Sequence, residues 1–175
     1  MINWRKVYRL LDDITPLKID CGKLCGSICC SEWEPGVGMY LLPGEEVMYN
    51  GQEHWAEWEE HDTADYEFCP NWSGKVKFLR CKGHCPREKR PLACRVFPLT
   101  PYLTTEGHLQ LRFEHELGQI CPLVRSRDIR LLDRRFISRV KQAFLILLDD
   151  QLIRDDIEWQ SRKFDLEATK IISFI

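Results

Sequence analysis

Residues 20–30 read Asp-Cys-Gly-Lys-Leu-Cys-Gly-Ser-Ile-Cys-Cys, which places Cys21, Cys25, Cys29 and Cys30 within ten positions. No other stretch restricts the fold as much. Thiols four residues apart advance about 400° per step on a helix, so Cys21, Cys25 and Cys29 would share one stripe while Cys30 points elsewhere. A glycine beside a thiolate lets the backbone approach and donate its N–H to sulfur. A core helix would use Leu or Ala at such positions. The pattern therefore favours metal or metal-cluster binding over disulfides, redox thiols or inert buried cysteines.

The chain has 175 residues, enough for one domain with a real core. Its nine cysteines are not staples for a core that is too small, and an odd number cannot pair completely within one chain. The opening, Met-Ile-Asn-Trp-Arg-Lys, lacks the apolar stretch and cleavage site of a signal peptide. The longest purely apolar run, 143–148, is too short to span a membrane. The expected compartment is the reducing cytoplasm, where clustered thiols hold metal or do redox work. A net charge of −2 argues against a nucleic-acid module.

The expected class is α+β, one domain over 1–175. A Cys-rich metal-binding part (about 20–122) has short strands and Pro-rich loops around the metal centre. An N-terminal helix and a C-terminal helical part (about 126–175) brace it. Trp4, Val7, Tyr8, Leu10, Leu11 and Ile14 predict a helix over 3–14 that Thr15-Pro16 stops. Residues 31–38 read as a loop, 39–42 as a short strand and 43–51 as a helix with an acidic first turn. The acidic, Trp-rich segment 52–65 reads as a strand or irregular flap, best taken as a solvated acidic face with aromatic anchors. Residues 75–79 alternate as a strand, and 102–114 read as a hairpin turning at Thr105-Glu106-Gly107. Ile129, Leu132, Phe136, Ile137, Val140 and Phe144 mark one C-terminal helix, and a second is predicted from about Arg154. These helices brace by packing, and they also offer a surface for a protein partner.

The remaining thiols are Cys69, Cys81, Cys85, Cys94 and Cys121, so two sets must meet in space. Zinc wants four tetrahedral ligands, and an iron–sulfur cluster usually takes four thiolates. Nine thiols exceed two such sites by one unless sulfurs bridge metals. Neighbouring side chains point apart on most backbones, so Cys29 and Cys30 suit two metals, or two sides of one cluster. Spacing does not separate zinc from iron. Lys23, Arg80, Lys82, Arg87, Lys89, Arg90 and Arg95 stand close in sequence, as screens for thiolate charge or as ordinary surface cations. His84, beside Cys85, is a candidate to replace a thiolate, whereas His54, His61, His108 and His115 have no ligand spacing.

The Cys-Cys pair together with Arg90-Pro91-Leu92-Ala93-Cys94-Arg95-Val96-Phe97-Pro98 resembles the YkgJ-type cysteine cluster family, a bacterial group described as a zinc- or iron-chelating domain. The resemblance covers about 21–121. It implies Cys25, Cys29, Cys30, Cys85 and Cys94 as the first ligands, followed by Cys21, Cys69, Cys81 and Cys121. The family's opening usually has a two-residue gap where Cys21 and Cys25 are separated by three. A flagellin lysine methylase, much longer than this chain, carries a cluster of the same type.

Two function classes follow. One is a cysteine-cluster protein binding zinc or an iron–sulfur centre, acting as metal carrier, maturation factor or interaction scaffold. The other is an iron–sulfur enzyme in electron transfer or protein side-chain modification, such as lysine methylation. No phosphate loop, His-Glu-x-x-His or Gly-x-Ser-x-Gly motif adds a further chemistry.

Overall fold

The computed structural model describes residues 1–30, 36–66, 68–83 and 85–172. Asn3 caps the first helix, α1 (Trp4–Leu11), by accepting from the Lys6 N–H at 3.0 Å. Trp4, Val7, Tyr8 and Leu11 recur at helical spacing and are all buried. They face α4 (Arg134–Leu147), whose buried side is Phe136, Val140, Ala143, Phe144 and Leu147. Asp133 caps α4 through the Arg135 N–H and donates its own N–H to Pro16 O at 2.8 Å. An Arg135–Asp13 ion pair at 2.5 Å closes the same corner.

The antiparallel hairpin β4 (Leu99–Leu103) and β5 (Leu109–Phe113) lies on this helical core. The final helix, α5 (Gln151–Ile172), is tied to it by polar contacts. Ser161 Oγ accepts from the Leu103 N–H at 2.9 Å, and the Tyr102 hydroxyl donates to Asp165 at 2.7 Å.

The second sheet is antiparallel with order β1 (Gly38–Tyr40), β3 (Lys75–Cys81), β2 (Ala56–Asp62). Its register sets Asp62 opposite Lys75 and Glu60 opposite Lys77, and both couples form ion pairs. Glu57 pairs with Lys82, and Glu59 with Arg80. Segment 52–65 is thus largely a strand with solvated carboxylates and a buried Trp55 anchor. Glu59, Glu60 and Asp62 are in addition the ion-pair partners of Arg80, Lys77 and Lys75 on β3, a relation visible only once the strands are in register. Leu41, Trp55, Ala56, Leu79 and Cys85 form a small buried cluster.

Two short helices complete the fold. Pro91 precedes α2 (Leu92–Val96), and Pro122 opens α3 (Pro122–Ser126). Arg95 of α2 is 4% exposed, lies over the Tyr8 ring, pairs with Asp12 at 2.7 Å and donates to the carbonyls of Arg90 and Glu88.

The architecture is α+β, with five α-helices and two small sheets among the described residues. Several boundaries differ from expectation. Residues 43–51 hold only the 3-10 turn Glu45–Met48, entered through Gly44 at φ 82° and ended where Tyr49 turns extended. The last helix starts at Gln151 rather than Arg154, because Asp150 accepts from the N–H groups of Leu152 and Ile153. Most of the loop at 31–38 lies outside the described residues.

Candidate metal centre

The thiol-rich opening is not a helix. Asp20 accepts from the Gly22 N–H at 3.0 Å and starts the 3-10 turn Cys21–Leu24. Gly22 O then takes the N–H groups of Cys25 at 3.3 Å and Ser27 at 2.9 Å. The chain reverses through Gly26 (φ 66°) and Ser27 (φ 58°) before a second turn, Ile28–Cys30. The expected stripe of Cys21, Cys25 and Cys29 is therefore absent. Two glycines and an Asx turn compete successfully with helix formation. Gly22 is required here, since a Cβ would overlap the Ser27 hydroxyl.

The break gathers the thiols differently. Cys29 lies within electrostatic reach of Cys30, Cys21 and Cys25, and Cys21 within reach of Cys25 and Cys121. Cys85, after the β3 strand, hydrogen-bonds with Cys30 and lies near Cys94. Cys94, on α2, lies near Cys81 and Cys30. Eight of the nine free thiols are thus linked by electrostatic reach, and the Cys29 and Cys30 sulfurs are 3.9 Å apart. Cys69 stands elsewhere, buried with Trp72 and Val76, its N–H donating to Asp156. Its following Pro70 belongs to a turn against α5, so Cys69 is placed apart from the other eight thiols. His84 lies outside the described residues.

The surroundings oppose free thiolates. The Cys30 hydrogen bond and then burial push the Cys29 thiol well up, and the same two causes act on Cys85. Burial, with Cys81 next, pushes Cys94 up to about 12. Burial and then Asp20 raise Cys21, while Arg87 pulls it back. Without a counter-charge these groups are neutral thiols.

Of the expected cations, Arg80, Lys82 and Arg95 pair with carboxylates. Arg87 donates to Ile14 O and lies within electrostatic reach of Cys21, and Arg90 faces sulfur. Arg90 hydrogen-bonds with Cys85 and lies near Cys30 and Cys29, while its buried Nε has no hydrogen-bond partner. An orphaned guanidinium N–H beside thiols suits an anionic sulfur centre. Among the described residues, no three His, Cys, Asp or Glu side chains converge tightly enough to enclose a metal ion. The thiols are gathered but not closed on a point.

A cavity of about 550 Å³ opens beside Cys29. One face of the three-stranded sheet forms its floor, with Tyr40 on β1, Phe78 and Arg80 on β3, and Glu59 and His61 on β2. A chain of polar contacts crosses it. The Tyr40 hydroxyl and His61 Nδ1 are 2.8 Å apart, His61 Nε2 and Glu59 are 2.9 Å apart, and Arg80 Nε donates to the other Glu59 oxygen. Burial and then the Tyr66 hydrogen bond push the Tyr40 phenol up. Gly38 permits this floor, since a Cβ there would overlap the Phe78 ring and Leu79 O. His61 and Glu59 escaped the sequence reading, because two residues on one strand face become a site only when that strand is recognised. None of the family models, curated proteins and solved structures compared with the chain matches it.

Proposed function

We propose that the chain is a cysteine-cluster metal-binding protein, in keeping with its resemblance to the YkgJ-type family. Zinc ions or an iron–sulfur centre would be held by Cys21, Cys25, Cys29 and Cys121 together with Cys30, Cys81, Cys85 and Cys94. The 3.9 Å approach of the Cys29 and Cys30 sulfurs, with six further free thiols within electrostatic reach of one another, supports this reading. A bound cation offsets thiolate charge, and Arg87 and Arg90 supply N–H groups around it. Closing the thiols on metal takes side-chain rotation about the two 3-10 turns. The protein then serves as a metal carrier, maturation factor or interaction scaffold.

A second reading, an iron–sulfur enzyme acting in electron transfer or protein side-chain modification, draws on the cavity beside Cys29. In that reading Glu59 orients His61, and His61 holds or accepts a proton at the Tyr40 hydroxyl.

The test is metal and acid-labile sulfide analysis of protein purified without oxygen, with its visible absorption. Colourless protein with zinc supports the first reading, and brown protein with iron and sulfide moves the weight to the second. Cys29→Ser and Cys94→Ser each lower the metal content, whereas Cys69→Ser leaves it unchanged. Metal-free protein, or equal metal in all three variants, refutes the assignment.

A further inference from the structure

A second cavity, of about 430 Å³, lies between the strand end at Tyr40 and α5. It shares Tyr40 and Tyr66 with the cavity beside Cys29 but differs in its chemistry. In the Cys29 cavity the polar groups satisfy one another. Here one carboxylate, Asp156, lines a cavity whose other walls are mostly rings.

The rings turn sharply from one to the next. Tyr40 and Tyr66 have centroids 5.3 Å apart at 60°, Tyr40 and Phe68 are 5.1 Å apart at 84°, and Phe68 and Trp72 are 4.7 Å apart at 57°. The rings are therefore not one stack, although one face of Tyr66 lies stacked on His61 at 4.9 Å. Asp156 is 9% exposed and accepts a single hydrogen bond, at Oδ1 from the Cys69 N–H at 3.0 Å. Among the described residues no donor reaches its other oxygen and no Lys or Arg pairs with it. That second oxygen is not sealed from solvent, so a cation entering the cavity can reach it. Burial pushes the Asp156 pKa up. Tyr66, 44% exposed, stands at the rim.

We propose that this cavity binds an alkylated ammonium group, with Asp156 as counter-ion and Tyr66, Phe68 and Trp72 as the walls. Ring faces attract such cations through their quadrupole, and a neighbouring carboxylate adds opposite charge. The group is either the head of a small molecule or an alkylated lysine side chain. The site is independent of metal, so its failure leaves the thiol assignment untouched.

The experiment is titration calorimetry of the full chain with choline, with a short peptide bearing trimethyllysine, and with 3,3-dimethylbutan-1-ol, which keeps choline's shape without its charge. Choline or the peptide should bind at least about tenfold more tightly than the neutral alcohol. The tighter of the two identifies the source. Asp156→Asn keeps an acceptor for the Cys69 N–H and should erase the preference for charge. Tyr66→Leu, at the exposed rim, should weaken cation binding several-fold even if the Asn variant misfolds. Equal affinity for charged and neutral probes, no binding at millimolar concentration, or wild-type affinity in the Tyr66 variant overturns the proposal.

Discussion

The helical half and the thiol-bearing half are held together by different means. Between α1 and α4, Val7, Phe136, Val140, Ala143 and Leu147 are wholly buried in one continuous apolar cluster. Across 21–30, Gly22 alone is buried, and the shape rests on an Asx turn and backbone hydrogen bonds. The first is an apolar core to which Leu92, Val96 and Cys121 of the thiol-bearing part also contribute. The 21–30 segment is a set of turns presenting thiols, with little burial of its own. Order there depends on its neighbours and, under the reading proposed above, on metal, since metal binding to such a site contributes folding energy directly.

Phe136→Ala strikes the apolar core and should cost about 3–5 kcal/mol, read as a fall in the urea midpoint. A loss below about 1 kcal/mol would show that this core is not where stability resides.

Glu45 joins the two halves. It is 1% exposed and accepts from the Tyr8 hydroxyl on α1, from the Leu92 N–H on α2 and from the Leu42 N–H. Three donors leave no room for an amide NH₂, so Glu45→Gln should cost about 1–3 kcal/mol. An unchanged melting curve would mean that the halves do not depend on this joint.

Ser161→Ala removes the acceptor for the Leu103 N–H within the helical half and should cost about 1 kcal/mol. Hydrogen exchange at Leu103 should rise while the α4 amides stay protected. Uniform loss of protection would contradict a local role.

The smallest effect is in the sheet. Hydrogen bonds from Arg80 and then His61 hold Glu59 at a pKa of about 2, below the unfolded carboxylate value of about 4.3. Its contribution is therefore full above pH ~4.3 and is lost as pH falls through about 2. Because the pair is solvent-screened, it should be worth less than about 1 kcal/mol. The stability gap between the protein and its Glu59→Gln variant should shrink between pH ~6 and pH ~2.5. A constant gap would remove Glu59 from the account.

What was legible in the sequence follows the same division. The α1 stripe, the hairpin and the α4 stripe are local periodicities, and each lies close to where the pattern put it. The thiol region depends on long-range relations that spacing does not encode. Cys21 meets Cys121 across a hundred positions, and Cys69 is drawn aside by Asp156 of α5. The four-residue spacing of the first thiols suggested a helix, and Gly26 with Ser27 overrode it. The acidic β2 had no visible purpose until β3 supplied its cations.

The contacts along α5 have a consequence for chain length. Asp156 holds the Cys69 loop, and Ser161, five residues on, holds the β4 edge. Five residues fix a rise of about 7.5 Å and one angular offset, so the helix acts as a ruler between the two sheets. Inserting one residue between them would turn Ser161 by about 100° and break one contact whichever end was kept. The outer face of α5 can drift freely in composition, but the helix tolerates no change of phase.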